Sequence, residues 1–225
     1  MIKRNIILFL TLSFFLTTQK AKANDYTLYV NSAGSGTACS SSARCSLQEA
    51  MRRANAIVAN DTLTINLSAE VYTINTSLVF RNPSNSRVVV NGDRPDNTVI
   101  QMQDGLGFRV VLISSNSDVT LSNLRIRGGY LAYSPDMGSL FSQYKGAGIS
   151  IQTDARLTLN HVWVTDNRSS GSLSNGTGIC NEGYLRMDQS VVQNNNSTAT
   201  TLAGGGILNT GQGSYSPLQR IRYHY

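Results

Sequence analysis

Charge, proline, histidine and cysteine are all scarce in this chain of 225 residues, and each scarcity removes a class of function. Charged side chains make up 14% of the sequence, and the formal balance of +6 is unevenly spread. Lys3, Arg4, Lys20 and Lys22 lie in the first 23 residues, which hold no acid; without that segment 15 basic residues face 13 acidic ones. So balanced a chain lacks the basic field that holds nucleic acid. Two histidines and three cysteines provide no metal-ligand spacing, and Cys39 and Cys45, with no histidine nearby, cannot complete a tetrahedral zinc site. Only four prolines interrupt the chain, which suits densely stacked strands. Beyond the first 23 residues no apolar run approaches the ~20 residues that cross a bilayer.

What is present begins with an export signal. Lys3 and Arg4 precede "IILFLTLSFFL", residues 6–16, and Ala21-Lys22-Ala23 supplies the small-x-small pattern that a signal peptidase recognises. Cleavage after Ala23 is expected, leaving a mature chain of 202 residues from Asn24. An exported chain meets an oxidising environment, so Cys39 and Cys45 in "ACSSSARC" are predicted to pair. Cys180 then remains as a small apolar filler.

Three stretches read "GAGISI", "GTGICN" and "GGGILN", starting at Gly146, Gly176 and Gly204. Each follows a second recurring element: "VTLSNLRIRGG" at Val119, "LTLNHVWVTDN" at Leu157 and "LRMDQSVVQNN" at Leu185. In register, the pairs Val119/Leu121, Leu157/Leu159 and Leu185/Met187 are apolar at alternating positions, the mark of half-buried strands. Two polar residues follow in each (Ser122-Asn123, Asn160-His161, Asp188-Gln189) before alternation resumes, which predicts a sharp corner between two short strands. Ile149, Ile179 and Ile207 define a third strand, whose leading glycine permits positive φ. Three short strands, a tight corner and variable loops per 28–38 residues describe one coil of a parallel β-helix, whose apolar face is buried only by stacking. A β-sandwich does not explain why the glycine elements recur in phase with the alternating ones. Residues 61–211 are assigned to these coils and 24–60 to an N-terminal cap. In the cap, "CSLQEAMRRANAIVAND" carries Leu47, Ala50, Met51, Ala54, Ile57 and Val58 at helical spacing. Ser46 and Glu49 form a capping box, with Arg52 and Arg53 on the solvated side. Such a helix would cover the open first coil.

The segment "CSLQEAMRRAN", following "LYVNSAGSG", resembles the bacterial domain family named for a Cys-Ser-Leu-Arg-Glu-Ala motif, with Gln48 in place of arginine. The "GGGI" elements, with Trp163-Val164-Thr165-Asp166-Asn167 and Val191-Val192-Gln193-Asn194-Asn195, are similar to polymorphic outer membrane protein repeats, without their phenylalanine. The resemblance covers roughly residues 26–211. It implies an all-β chain: a single-stranded, right-handed parallel β-helix of the pectin-lyase-like type, with an N-terminal capping α-helix. It is specific for export and fold but not for activity.

No catalytic, cofactor-binding or metal-ligating residue stands out. Glycosidic hydrolysis takes two flanking carboxyl groups, yet in register Asp166 aligns with Gly128 and Asn194, and Asp188 with Ser122 and Asn160. Asp154 and Glu182 fall at coil junctions. His161 takes a corner position matched by Asn123 and Gln189, where a polar ladder is expected, and His224 lies in the tail. The longest insertion, "GGYLAYSPDMGSLFSQYKG", holds Tyr130, Tyr133, Phe141 and Tyr144; with the outward Trp163 they form the candidate ligand-binding surface. The expected function is an exported surface or secreted protein, adhesin-like or structural, whose partner is a glycan or a host or cell-surface protein. The alternative is a carbohydrate-active enzyme, lyase- or hydrolase-like, with its site partly in missing coils. No integral membrane segment is expected after signal cleavage. Residues 212–225, with Pro217, read as an irregular tail, and outer-membrane association is expected only of a longer, untruncated protein.

Overall fold

A computed structural model describes residues 23–132, 145–170, 176–198, 205–215 and 220–221. The described chain is mostly β, with one helix, and all its sheets are parallel. In the long sheet, strands Asp25–Val30, Thr62–Leu67, Arg87–Asn91, Asp118–Arg127, Arg156–Thr165, Tyr184–Asp188 and Gln212–Tyr215 lie side by side in chain order. A second row of the same sheet runs through Val71–Ile74, Val99–Met102, the later halves of the two ten-residue strands, Val191–Gln193 and Arg220–Ile221. A middle sheet stacks Leu78–Phe80, Val111–Ile113, Ile149–Ile151, Ile179–Asn181 and Ile207–Asn209. A short sheet pairs Tyr130–Ala132, Arg168–Ser170 and Asn196–Ser197. The long sheet continues past residue 211, where Gln212–Tyr215 pairs from Tyr184 to Met187.

Register carries the side chains with it. Val119, Leu157 and Leu185 pair in succession, as do Leu121, Leu159 and Met187, and Ile149, Ile179 and Ile207. Alternation therefore sends equivalent apolar residues to one interior, where Ile65, Val90, Leu121, Leu124, Ile126, Ile149, Leu157 and Val164 are all at most 2% exposed. Asn123 and His161 take left-handed φ values of 56° and 53° inside the ten-residue strands, and Gln189 takes 46° between two strands. The corner is thus a single left-handed residue, and in two repeats it bends one strand rather than separating two. Asparagine tolerates this conformation better than most residues.

The two recurring motifs depend on each other. The first glycine of the first two elements has positive φ, 66° at Gly146 and 56° at Gly176. The second serves close approach: a Cβ at Gly148 would lie 2.5 Å from the Gly178 carbonyl oxygen and 2.8 Å from Asn167 Nδ2. At Gly178 it would lie 2.7 Å from both Asn195 Nδ2 and the Gly206 carbonyl oxygen. The glycine column makes room for the buried asparagines that end the alternating element. Asn167 Oδ1 accepts from the Gly129 N–H (2.9 Å), and Asn167 Nδ2 donates to Asn195 Oδ1 (2.9 Å) and the Thr165 carbonyl (3.0 Å). Asn195 Nδ2 donates to the Val164 carbonyl (2.9 Å). These bonds engage backbone groups at and beside the corner, where the long sheet ladder ends.

At the N-terminal end the helix Leu47–Ala54 packs on Asp25–Val30 and Leu78–Phe80, burying Leu47, Ala50, Met51 and Ala54. Ser46 Oγ accepts from the Glu49 N–H at 3.1 Å. The reciprocal half of the capping box is not made: Arg52 Nε and Arg53 Nε hold the Glu49 carboxylate at 2.7 and 2.9 Å. The side-chain bond from Arg52, then that from Arg53, pulls this carboxyl down to about 2. The helix ends at Ala54, so Val58 falls outside it and is 61% exposed. Cys39 and Cys45 are joined by a disulfide, and their loop lines the free edge of the first strand. The Tyr29 N–H donates to the Cys39 carbonyl (2.8 Å), while Cys45 N–H donates to the Tyr29 carbonyl (3.1 Å) and Asn31 N–H to the Cys45 carbonyl (3.2 Å). An edge that could pair with another chain is thereby occupied.

Asn167→Ala tests the asparagine column. It leaves the Gly129 N–H without its acceptor and removes both bonds given by Asn167 Nδ2, and each buried group left unpaired costs about 1–3 kcal/mol. Urea unfolding should show a lower midpoint at unchanged slope, equivalent to a loss of about 2–4 kcal/mol. A loss below about 1 kcal/mol would show that the column is not stabilising.

Candidate functional site

The site is built where the long sheet turns into the short one. At this corner Gly128, Asp166 and Asn194 occupy successive equivalent positions with φ of 77°, 56° and 54°. Asp166 projects a carboxylate, whereas Gly128 projects nothing; a Cβ there would come within 3.1 Å of the Met102 carbonyl oxygen. The missing side chain opens a cleft of about 870 Å³ lined by Gln101, Asp104, Arg127, Tyr130, Asp166 and Arg168. The irregular turn "QDGLGF", with Gly105 at φ 80°, supplies one wall through Asp104 and Leu106.

Strands fix most of the lining. Arg127 Nε and an Nη both donate to Gln101 Oε1, at 3.0 and 2.7 Å, which orients the guanidinium and leaves N–H groups over. Tyr130 and Arg168 pair directly across the short sheet, so their Cα atoms lie about 4.8 Å apart. The Tyr130 hydroxyl meets Ser170 Oγ at 2.9 Å, and its N–H donates to the Phe108 carbonyl at 3.0 Å. Tyr130 is 38% exposed and Phe108 46%. Among the described residues, no ion pair or hydrogen bond engages the side chains of Asp104, Asp166 or Arg168. Unpaired charged groups and an exposed tyrosine thus line one open, mainly polar cleft, which makes it the candidate site.

Of the two described candidates for the ligand-binding surface, Tyr130 lines this cleft and Trp163 does not. Trp163 lies half-buried on the outer face of the long sheet under Arg125, whose guanidinium carbon is 4.8 Å from the ring centroid and which also pairs with Asp96 at 3.2 Å. Tyr133, Phe141 and Tyr144 lie outside the described residues. His161 Nδ1 stands 3.1 Å from Asn123 Oδ1, and Asn123 Nδ2 donates to Asn91 Oδ1 at 3.0 Å, which makes the histidine one member of a corner ladder. Asp118 pairs with Arg87 at 3.4 Å, and Glu182 with Lys145 at 2.7 Å. No group of three or more His, Cys, Asp or Glu able to hold a metal occurs among the described residues. Asp104 was not legible as a site residue because its turn stands outside the repeat. Arg127 and Arg168 carried a weak signal, being charged residues flanking a corner.

Cys180 is 1% exposed in the middle sheet. Burial, and then the charge of Glu182, pushes its thiol up to about 11 despite Lys145 and Arg109 nearby. Such a thiol is inert rather than nucleophilic. No helix among the described residues is long and apolar enough to cross a membrane. Comparison with protein-family models, curated proteins and solved structures returns no match.

Two buried groups predict an alkaline transition. The Cys180 thiol rises from 9.0 to about 11, and burial raises the Tyr72 phenol from 10.0 to about 12. Each is held protonated in the folded state while the unfolded chain ionises, so their stabilisation is full below pH 9. It is lost between 9 and 11 for the thiol and between 10 and 12 for the phenol. Denaturation midpoints measured across pH 8–11 should therefore fall, and Cys180→Ala should flatten the lower part of the decline. An identical decline in that variant would remove the thiol from the explanation.

Proposed function

We propose that this chain is an exported right-handed parallel β-helix that acts as an adhesin-like surface or secreted protein, binding its partner at the outer corner cleft. The observation that carries the reading is the column arrangement. Strands pair with their equivalents one repeat away in three parallel sheets around one interior, as successive coils would. Right-handedness follows from the strong bias of parallel crossover connections. The resemblance of "CSLQEAMRRAN" to the Cys-Ser-Leu-Arg-Glu-Ala family supports the same architecture and export. Export is further supported by the signal-like residues 1–23 and by the Cys39–Cys45 bond, which belongs to an oxidising compartment.

Adhesion is favoured over a purely structural role because the cleft gathers unpaired polar groups beside exposed aromatics, which a spacer does not need. One observation favours a second reading. Asp104 and Asp166 both line the cleft, and a pair of carboxyl groups flanking a glycosidic bond is the equipment of a glycoside hydrolase.

Expression of the full chain in a bacterial host with a secretion pathway tests the export reading. The protein outside the cytoplasm should begin at Asn24 and yield a Cys39–Cys45 linked peptide with Cys180 free. Retention of residues 1–23 in a cytoplasmic, fully reduced protein would contradict it. Release of reducing ends from a polysaccharide panel, abolished by Asp166→Asn, would replace adhesion with hydrolysis.

A further inference from the structure

We infer that the corner cleft recognises a neutral saccharide, held against Tyr130 with its hydroxyl groups bridged between guanidinium and carboxylate partners. This rests on the adhesin-like reading and names the chemistry of its ligand.

Charge balance selects the class. Arg127, Arg168, Asp104 and Asp166 line one cleft, with Gln101 as a neutral fifth group. An anionic ligand would meet two carboxylates and a cationic one two guanidinium groups, so this cleft, whose Asp104, Asp166 and Arg168 are exposed, favours neither sign. A polyol has no net charge, and each hydroxyl both donates and accepts. Carboxylates only accept and guanidinium groups only donate, so adjacent hydroxyls of one sugar ring can give a proton to Asp104 or Asp166 and take one from Arg168 or Arg127. The Gln101 contact fixes Arg127 without neutralising it.

An apolar surface completes the match. The C–H face of a pyranose packs on aromatic rings, and Tyr130 presents one at 38% exposure. Its hydroxyl is held by Ser170 and its backbone by Phe108, so little side-chain freedom is lost on binding. Phe108, exposed and joined through its carbonyl to the Tyr130 N–H, extends the aromatic surface beyond the cleft. A further sugar could lie there, which suits an oligosaccharide better than a monosaccharide. Gly128 also lines the cleft, at a corner where a Cβ would crowd the Met102 carbonyl oxygen at 3.1 Å.

The test is isothermal titration of the purified, exported full chain with a fixed panel. Neutral probes are oligomers of glucose, mannose, galactose and N-acetylglucosamine; acidic probes are oligogalacturonate and heparin fragments. At least one neutral oligosaccharide should bind, and no acidic one should bind more tightly. Tyr130→Ala and Arg168→Ala, both exposed positions whose replacement spares the core, should each weaken binding about tenfold or more. Asp166→Asn keeps a residue tolerant of the left-handed corner and should weaken binding without unfolding the chain. Arg87→Ala, distant on the long sheet, should leave it unchanged. Tighter binding of the acidic probes, or neutral binding indifferent to both Tyr130→Ala and Arg168→Ala, overturns the proposal. Attachment of the exported chain to whole cells separates the two levels. Attachment that persists in those variants keeps the adhesin-like reading while overturning the cleft, and an intact chain that binds neither cells nor any probe overturns both.

Discussion

Backbone hydrogen bonding between equivalent strands, one repeat apart and in register, is the constraint on which the rest of the molecule depends. Because each strand has its partner in the next repeat rather than beside it in the chain, a residue's neighbours in space are its counterparts in sequence. Val119, Leu157 and Leu185 form one column, and Asn91, Ser122 and Asn160 another. A column can be apolar and interior, polar and laddered, or exposed and available for binding, but its members must share the same backbone geometry. That explains why three successive corners are left-handed although their residues are Asn123, His161 and Gln189. It also explains why glycine and asparagine motifs travel together: Gly148 and Gly178 clear the space that Asn167 and Asn195 fill.

A sheet whose strands pair only upward and downward has ends that need protection. At the first strand the Cys39–Cys45 loop takes up the outward backbone groups of Tyr29 and Asn31, while the short helix covers the interior beside it. Two devices divide one task, since a helix supplies apolar area but cannot satisfy the edge of a strand. The bond's proximity to that edge gives it a structural role beyond chain entropy. The same stacking that demands caps also makes the outer surface modular. Loops and corners can vary from repeat to repeat while the interior stays fixed, and the cleft at Gly128 is one such local departure.

Much of the strand pattern was legible in the sequence because period-two alternation and a repeating glycine element constrain each other. The aligned rows Val119/Leu157/Leu185 and Ile149/Ile179/Ile207 coincide with the pairing found between strands. The cleft was far less legible. It is formed by a turn that the repeat does not describe, "QDGLGF", and by a residue whose contribution is an absent side chain, Gly128. Asp104 therefore had no partner in any sequence column, although it shares a cleft with Asp166. Trp163 was identified as outward from alternation, correctly for its strand face, but alternation says nothing about the Arg125 side chain laid over it. Competition misled the helix reading in the same way: Glu49 fits a capping box by spacing, yet Arg52 and Arg53, one turn away, offer stronger charged donors than a backbone N–H.

In-register stacking is the central claim, and a pair of cysteines tests it most directly. Thr120 and Thr158 are paired across adjacent strands, half-buried on the outer face of the long sheet. Of the native thiols, Cys39 and Cys45 are bonded and Cys180 is buried, so a cross-link in the double variant Thr120→Cys/Thr158→Cys reports on the new pair alone. A short bifunctional thiol reagent applied to the folded chain should join positions 120 and 158 in high yield, because parallel neighbours lie about 4.8 Å apart. A folded chain in which the two remain unlinked, each reacting separately with the reagent, would contradict the register and with it the columns, the corners and the cleft.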